Sequence, residues 1–242
     1  MPGTTPILII ADNLAAIHER IRRAAARTNH NPDQIALMAV CKTFPPDAVL
    51  EAYEAGQRLF GENKVQEFAD KAGKVAGLAG AQFHMIGHLQ SNKAAKAVEL
   101  FHAIDSLDSA KLASRLNSAA EAMGKVLPVL IEINVGGEDA KSGGAPNSPE
   151  LDEILNGAPA WPHLQVRGLM TVPPYTDDPE GSRPYFRQLR ELRDKLAARN
   201  YSAVSMDELS MGMSHDFEVA IEEGSTCVRV GAAIFGERAK AK

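Results

Sequence analysis

The stretch IALMAVCKTFPP, residues 35–46, decides the fold, because an apolar run leads directly to Lys42 and two prolines follow. An apolar run of this length that ends at prolines is typical of a parallel strand buried on both faces. Side chains alternate along a strand, so Lys42 and Val40 share one face and Cys41 lies on the other. We therefore expect Lys42 to point into the mouth of the fold and Cys41 to face a layer of helices.

Strand patterns and helical patterns alternate along the rest of the chain. A helix comes first, from Asp12, which we expect to be its N-cap, to Arg27. Short apolar segments bounded by turn residues then recur, with helical spacing between them. The predicted strands are residues 35–41, 58–61, 82–86, 101–104, 126–135, 166–171, 208–211 and 227–230. The predicted helices between them are residues 46–55, 65–76, 92–99, 108–123, 149–156, 183–199 and 216–222.

Strands that alternate with helices at this spacing form right-handed crossovers and a parallel sheet. Eight such strands in 242 residues, without a linker or a shift in composition, favour an α/β fold with a single domain over residues 1–242. That domain is a closed (β/α)8 barrel of the TIM type, preceded by an extra helix. An open doubly wound sheet is the structural alternative. No G-x-G-x-x-G sequence follows the first strand, so dinucleotide binding is disfavoured.

The composition argues against several classes of function. The net charge is -5, from 26 basic and 31 acidic residues without a long basic run, so nucleic-acid binding is disfavoured. The two cysteines, Cys41 and Cys227, form no C-x-x-C pair, which argues against a disulfide framework or a cysteine metal site and fits a cytoplasmic protein. The N-terminus lacks the basic region of a signal peptide, and the apolar residues 7–10 are too few for a membrane span.

The chemistry of Lys42 depends on its surroundings. Burial disfavours a charged ammonium and lowers the pKa of a lysine, and a neutral lysine amine is a nucleophile that forms Schiff bases. A strand end commonly meets water, however, and a solvated lysine there is ordinary. The residues at the other strand ends decide between these two interpretations.

In a barrel, ligand groups lie at the C-terminal ends of the strands, and phosphate is held after strands seven and eight. The sequence MGMSHD, residues 211–216, stands at the end of strand seven, where glycine permits a tight turn and Ser214, next to Met213, is expected to cap the following helix. Gly231 ends strand eight and lets the backbone approach a ligand closely. The alternative is an ordinary N-cap and a packing glycine.

Arg229 adds a second cation to this set. It shares a strand face with Gly231, and in a closed barrel the eighth strand lies beside the first, so Arg229 and Lys42 come from adjacent strands. An amine, a guanidinium and a phosphate cradle suit a phosphorylated carbonyl compound, and pyridoxal 5′-phosphate is the most economical choice. A Schiff-base aldolase acting on a phosphorylated sugar would use the same groups.

At these residues the chain resembles the pyridoxal-phosphate homeostasis proteins, also called proline synthetase co-transcribed homologues. The resemblance covers nearly the whole chain and implies a fold similar to the barrel domain of alanine racemase. The matching stretches are residues 39–43 (AVCKT), 60–63 (FGEN), 84–93 (HMIGHLQSNK), 133–134 (IN), 141–143 (KSG), 168–170 (GLM), 209–214 (LSMGMS) and 228–231 (VRVG).

The resemblance assigns roles to individual residues. It implies that Lys42 forms the internal aldimine with pyridoxal phosphate, that Ser214 (beside Met213) and Gly231 contact the phosphate, and that Arg229 lies by the ring nitrogen. It implies more weakly that three residues near other strand ends line the cofactor. These are Asn63, His84 and Asn134.

Several positions keep a second interpretation. His84 also fits a hydrogen-bonded core histidine, and Glu62 fits a pair with a neighbouring cation instead of a catalytic base. The chain departs from the usual family pattern at Cys41, where serine is common, and at Lys64, where tyrosine is common. Cys41 is expected to face away from the cofactor, whereas Lys64 changes the rim of the site.

The expected function is cofactor binding in vitamin B6 homeostasis, without catalysis. We expect residues 235–242, which come after the segment of strand eight, to leave no room for the β-domain that supplies a tyrosine in alanine racemase-like enzymes. None of the four tyrosines falls at a predicted strand end, and the nearest is Tyr175, in the loop after strand six. An amino-acid racemase-type enzyme on the same barrel is the alternative.

The expected partners follow from this function. The chain takes up pyridoxal phosphate and is expected to hand it to apo-enzymes that need it. A monomer is the expected state, with a dimer as the alternative. The sequence leaves open whether Lys141, in the glycine-rich loop after strand five, closes over the site or pairs with Glu138.

Overall fold

Eight parallel strands close into a barrel in the order of the chain. The structure, a computed structural model, describes residues 7–75, 77–138 and 142–236. Each strand pairs with the next, and β1 also pairs with β8, so the predicted (β/α)8 barrel is confirmed. The strands are β1 (Ala36–Val40), β2 (Leu59–Glu62), β3 (Gln82–Met85), β4 (Ala103–Leu107), β5 (Leu127–Glu132), β6 (Leu164–Met170), β7 (Val204–Met213) and β8 (Cys227–Val230).

Helices connect the strands and form the outer layer. A short 3₁₀ turn, Ser91–Lys93, leads into the fourth helix, and a short helix that the sequence did not predict follows the last strand. The helices are α1 (Ile7–Arg27), α2 (Pro46–Glu54), α3 (Val65–Val75), α4 (Ala94–Leu100), α5 (Ala110–Ala122), α6 (Pro149–Gly157), α7 (Arg183–Ala197), α8 (Phe217–Glu222) and α9 (Ala232–Phe235).

The first helix begins earlier than predicted. Asp12 lies inside α1, which already includes Ile7, so the prediction that Asp12 is the N-cap is wrong. The helix packs one apolar face against α8 and α9, and that face extends into the turn before Asp12. Its buried row consists of Ile10, Leu14, Ile17 and Ile21.

Two strands extend into polar sequence that the apolar pattern left out. β4 runs to Leu107 and includes Asp105 and Ser106, which are buried and hydrogen-bonded. β7 begins at Val204, earlier than the predicted start at residue 208, and pairs there with Val166 of β6. Polar side chains are tolerated inside β4 because neighbouring groups satisfy their hydrogen bonds.

The side chains of β1 alternate between two environments. Ala39 and Cys41 belong to the continuous apolar cluster between the strands and the helices. Met38 and Val40 are also buried but lie outside that cluster, on the inner face of the barrel. The predicted alternation is therefore confirmed for β1. Lys42, two residues beyond Val40, follows the C-terminal end of this strand.

Some sequence-based expectations concern segments outside the described residues. These segments are residues 1–6 and 237–242, Ala76 at the end of the predicted third helix, and residues 139–141, which include Lys141. The two alternatives for Lys141 therefore lie outside the described residues.

Three general features of the described residues bear on function. Cys41 and Cys227 are buried free thiols. Over residues 7–75, 77–138 and 142–236, no group of three or more His, Cys, Asp or Glu side chains is arranged to hold a metal ion. Over the same residues, no helix combines the length and the apolar character needed to cross a membrane.

Candidate ligand site at the C-terminal mouth of the barrel

Because all eight strands run in the same direction, the barrel has a C-terminal mouth and an N-terminal mouth, and each contains a cavity. The cavity at the C-terminal mouth has a volume of about 280 Å³. Its walls come from the ends of β2, β3 and β5 and from the segments that follow them and β6. The lining residues are Asn63, Ile86, Gly87, His88, Glu132, Ile133, Ser142 and Val172.

Lys42 lies at the C-terminal end of β1, in a tight turn. The backbone N–H of Phe44 donates to the carbonyl of Cys41 at 3.2 Å, so residues 41–44 form a four-residue turn with Lys42 in its second position. Thr43, in the third position, has a φ of +66°, a left-handed conformation that is unusual for a β-branched residue. Lys42 itself is partly buried.

Ser214 and Gly231 join the loops that follow β7 and β8. The backbone N–H of Gly231 donates to Ser214 Oγ at 3.2 Å. Gly231 also packs close to β1, since a Cβ atom there would lie 3.2 Å from the carbonyl oxygen of Val40. Ser214 and Gly231 therefore meet beside the end of β1, where Lys42 follows.

Ser214 does not cap α8, so that prediction is wrong. The N-cap position belongs to Asp216, and its carboxylate accepts a hydrogen bond from the N–H of Met213 at 2.7 Å. Ser214 falls two residues too early to reach the free N–H groups of the helix and pairs with Gly231 instead. The turn before Ser214 requires Gly212, which has a φ of +93° and would place a Cβ atom 2.5 Å from that of Ala220.

Arg229 lies on the inner face of β8, below the C-terminal mouth. It is 3% exposed and stands opposite Met38 of β1 in the sheet register. Its guanidinium donates to Ser210 Oγ at 2.7 Å and to the carbonyl of Thr171 at 2.6 Å. Burial lowers the pKa of Arg229, but a guanidinium remains charged at neutral pH. Arg229 thus ties β6, β7 and β8 together and places a positive charge inside the barrel.

Asn63 and Asn134 stand at the ends of β2 and β5, as their positions in the sequence suggested. Asn63 is partly buried and lines the C-terminal cavity. Asn134 donates from Nδ2 to the carbonyl of Glu138 at 2.9 Å, while its Oδ1 is buried and has no hydrogen-bond partner among the described residues. Asn134 follows Ile133, which lines the cavity, and an unpartnered buried acceptor is a group that a ligand donor can satisfy.

Glu132 is a candidate residue that sequence reasoning missed. It is the last residue of β5, is 6% exposed and lines the same cavity. Ser142 donates to its Oε1 at 2.9 Å, but its Oε2 has no hydrogen-bond partner among the described residues. Burial raises the pKa of Glu132 above the ordinary range of a carboxyl group. Strand alternation, which places Glu132 on the same face as the inward Leu130, was the available signal.

His84 does not reach the C-terminal mouth, so its expected place beside the cofactor is corrected. It lies on β3 opposite Gly61 and Ala103, and its side chain lines the cavity at the N-terminal mouth. Its Nδ1 is 3.1 Å from Oδ1 of the buried Asp105. Burial alone would lower the pKa of His84, but the Asp105 carboxylate outweighs this effect and the pKa is raised. The alternative, a hydrogen-bonded core histidine, fits this position.

The N-terminal mouth is larger but consists mainly of groups that pair with each other. Its cavity has a volume of about 740 Å³ and is lined by the first residues of the strands. Arg167 of β6 pairs with Glu208 of β7 at 2.7 Å, beside the pair of His84 and Asp105. Burial raises the pKa of Glu208, although Arg167 opposes the rise. In barrel proteins this end of the strands usually serves stability, and ligands bind at the other end.

Sequence comparison places this geometry in a known family. The family described as "Alanine racemase, N-terminal domain" matches residues 13–239. The "Pyridoxal phosphate homeostasis protein" of Aquifex aeolicus (strain VF5) is 45% identical over 227 residues, which cover 94% of this chain and 97% of that protein.

Solved structures agree with the sequence comparison. The structure of PipY from Synechococcus elongatus PCC7942 with PLP bound matches with a TM-score of 0.80 at 36% identity, over 94% of this chain and 100% of that chain. An alanine racemase of Clostridium difficile 630 in complex with cycloserine shares the fold, with a TM-score of 0.71 at 16% identity over 95% of this chain and 60% of that chain. By sequence and by fold, the chain belongs to the pyridoxal phosphate homeostasis proteins, within the alanine racemase N-terminal domain family.

Proposed function

We propose that this protein holds pyridoxal 5′-phosphate at the C-terminal mouth of the barrel, with Lys42 as the covalent attachment point, and acts in vitamin B6 homeostasis. One observation carries the proposal: the ends of β1, β7 and β8 bring the turn of Lys42 together with Ser214 and Gly231. The relatives named for pyridoxal phosphate homeostasis and the PLP-bound PipY structure support it.

The residues present fit the chemical groups of the cofactor. Phosphate needs hydrogen-bond donors after strands seven and eight, and we assign Met213, Ser214 and Gly231 to it. The Ser214 hydroxyl is the donor in this set, because the N–H groups of Met213 and Gly231 donate to Asp216 and to Ser214 Oγ. Asn63 lines the cavity at the C-terminal mouth, whose lining among the described residues does not include Lys42, Ser214 or Gly231. When bound, pyridoxal phosphate supplies an aldehyde that forms a reversible imine with a lysine amine, and we assign the internal aldimine to Lys42.

Arg229 is the residue that we assign to the ring nitrogen. A guanidinium has only N–H donors and no acceptor, so it favours an unprotonated ring nitrogen. Two of its five N–H groups hold Ser210 and Thr171, which fixes the orientation of the guanidinium plane. An unprotonated ring is a weaker electron sink, and this property suits storage better than reactions that need a carbanion.

The arrangement of acid and base groups supports binding without catalysis. Removal and return of an α-proton need positioned groups beside the substrate. Of the four tyrosines, Tyr175 is the one in the loop after β6, where it is 77% exposed and lies 5.6 Å from the ring of His215. Such an exposed ring is not held in place as a general acid or base. Reversible attachment therefore suits a protein that stores the cofactor and hands it to apo-enzymes.

A racemase-type enzyme is the second candidate, and the pair of Tyr175 and His215 favours it because His215 follows Ser214 directly. The two functions differ in the fate of the α-proton of an amino acid. Loaded protein incubated with single-enantiomer amino acids in deuterated water is expected to leave the α-proton in place. Exchange at a catalytic rate would establish the enzyme and overturn the storage function.

Absorbance spectroscopy tests the attachment site. Loaded protein is expected to show a visible imine band that borohydride removes, and Lys42→Ala is expected to lack it. Lys64→Ala is the matched control, because Lys64 is exposed on the rim and pairs with Glu67 at 2.7 Å. A band that persists in Lys42→Ala, or that is lost in Lys64→Ala only, would contradict the assignment.

Transfer tests the physiological part of the proposal. An apo-form of a pyridoxal-phosphate enzyme mixed with the loaded protein is expected to gain activity faster than free release of the cofactor from the protein allows. Activation at the rate of spontaneous release would support storage and contradict transfer.

A further inference from the structure

We propose that Lys71 and Glu62 form a buried positioning pair that fixes the turn carrying Lys42. This inference rests on the proposed function, because it concerns how the attachment lysine is presented. Neither residue is among those that line the cavity at the C-terminal mouth, so both are positioning residues that act through the backbone on either side of Lys42.

Lys71 uses its ammonium to fasten both ends of the turn. It lies on α3, is 6% exposed and places Nζ 3.0 Å from the carbonyl oxygen of Cys41 and 3.0 Å from that of Phe44. Its third contact is Glu62 Oε1 at 2.6 Å. Two of the three N–H groups of the ammonium thus donate to carbonyls of the turn, and Glu62 pairs with its charge. One cation thus holds Cys41 and Phe44, the residues on either side of Lys42 and Thr43.

Glu62 supplies the negative charge that keeps this cation inside the protein. It is the last residue of β2 and is fully buried. Its Oε1 also accepts a hydrogen bond from Cys41 Sγ at 3.1 Å, so the carboxylate contacts the first residue of the turn directly. Burial, together with the charge of Glu62, raises the pKa of the Cys41 thiol well above its usual range, which keeps the thiol protonated as a donor.

The turn needs such support because of its backbone. A β-branched residue at the positive φ of Thr43 is strained, and strained residues persist only where the surrounding structure over-determines them. The hydrogen bond from Phe44 N–H to Cys41 is one constraint, and the two bonds from Lys71 add constraints at both ends.

A stability role alone does not explain this pair. Replacing a buried ion pair with apolar groups is often neutral or stabilising, because both charges lose their hydration. The specific result that we assign to this pair is geometric: a fixed backbone at Lys42, and with it a fixed direction of the Cα–Cβ bond from which its side chain starts. Small misplacements of a reacting group slow a reaction strongly, so we expect the reaction of Lys42 with an aldehyde to report on the pair.

The test compares three variants. The double variant Lys71→Met with Glu62→Gln removes both charges together and leaves neither one buried alone. The control is Gln57→Met, because Gln57 is also buried and donates to the carbonyls of Leu37 and Leu59, at the opposite ends of β1 and β2. Lys71→Arg is a third variant, which keeps the positive charge opposite Glu62 but replaces the compact ammonium with a planar guanidinium group.

Two measurements report on the turn. The first is hydrogen exchange of the Phe44 amide in unloaded protein, which is expected to accelerate in the double variant and to stay unchanged in Gln57→Met. The second is the rate at which pyridoxal 5′-phosphate forms the borohydride-reducible adduct at Lys42, which is expected to fall by about ten-fold or more in the double variant. Lys71→Arg is expected to show a smaller decrease.

The outcomes separate this inference from the proposed function. Uptake and Phe44 exchange at the unmodified rates in the double variant would overturn the positioning role. If that variant does not fold, unmodified rates in Lys71→Arg would overturn it in the same way. Loss of the adduct in Lys42→Ala with no effect in any Lys71 variant would keep the proposed function and reject only the positioning pair. An adduct that persists in Lys42→Ala would reject the proposed function itself.

Discussion

The C-terminal mouth of the barrel has buried hydrogen-bonding groups without partners, whereas at the N-terminal mouth the charged groups are paired with one another. Among the described residues, the buried side-chain oxygens without a hydrogen-bond partner are Oε2 of Glu62, Oε2 of Glu132 and Oδ1 of Asn134. All three stand at the C-terminal ends of β2 and β5. Glu132 lines the cavity there, whereas Glu62 faces Lys71 of α3 and does not line it. At the other end, His84 pairs with Asp105, and Arg167 pairs with Glu208.

The proposed ligand site lies at the smaller of these two cavities. The N-terminal cavity, at about 740 Å³, exceeds the C-terminal cavity, at about 280 Å³. Yet groups that already satisfy one another gain little from a ligand, whereas an unpartnered buried oxygen is costly until a donor reaches it. We therefore expect changes at the C-terminal mouth to alter cofactor retention, and changes at the N-terminal mouth to alter stability.

Arg229→Ala is expected to give the largest effect, because Arg229 lies between the two mouths. The change leaves the Thr171 carbonyl and Ser210 hydroxyl without their donor and removes the positive charge near Glu132. The free energy of unfolding, measured in urea, should fall by about 3–5 kcal/mol. Arg22→Ala, on the exposed face of α1, is the control and should leave the free energy of unfolding nearly unchanged. A similarly small change for both would contradict the structural role of Arg229.

His84→Ala tests the N-terminal mouth alone. The change leaves the buried Asp105 carboxylate without its partner, so the free energy of unfolding should fall by about 1–3 kcal/mol. Cofactor retention should not change. His88→Ala is a useful comparison, because His88 pairs with Asp108 at 3.0 Å at the C-terminal mouth but is mostly exposed, so it should cost less stability. A marked loss of cofactor in His84→Ala would break the separation of the two mouths.

Ser214→Ala tests the C-terminal mouth with a smaller change. The variant loses the acceptor for the Gly231 N–H and one proposed phosphate donor. Cofactor retention, measured by equilibrium dialysis, should weaken by about ten-fold, which corresponds to about 1.4 kcal/mol. Ser109→Ala is the control, because Ser109 is the N-cap of α5 and its side chain accepts a hydrogen bond from the Leu112 N–H. This change should lower the free energy of unfolding without affecting cofactor retention. Equal retention in both variants would remove Ser214 from the site.

The pH dependence of stability should show the smallest effect. The pKa of His84 is raised above 6.5 in the folded protein, so the folded state binds this proton more tightly than the unfolded chain does. Its contribution to the free energy of unfolding is therefore complete below about pH 6.5 and is lost as the pH rises through the raised pKa. Urea unfolding at several pH values should show this decrease, and His84→Gln should show less of it. An equal slope in both proteins would contradict the pairing with Asp105.

The barrel could be predicted from the sequence because each strand carries a local signal. The apolar run before Lys42 and the repeated strand and helix patterns identify eight units, and closure follows from their number and spacing. Strand ends were harder to place, because the polar residues Asp105 and Ser106 belong to β4 through contacts with His84 and Gly87 that lie far away in sequence.

The site was predicted less completely, because side-chain partners depend on the sheet register. Alternation placed Val40 and Cys41 on the correct faces, and strand adjacency placed Arg229 beside β1. The partner of Ser214 was not visible, since it comes from the loop after β8. No prediction was made for Lys71, because its contacts arise only from the packing of α3 against the end of β1.

The most direct test of the central claim is to locate the bound cofactor covalently. Loaded protein is reduced with borohydride and digested, and the pyridoxyl-labelled peptide is identified by mass spectrometry. We predict a single main label on Lys42, and the same experiment on His84→Ala should give the same label. A main label on Lys64, Lys71 or another lysine, or no label on a protein that retains the cofactor, would contradict the claim that Lys42 is the attachment point.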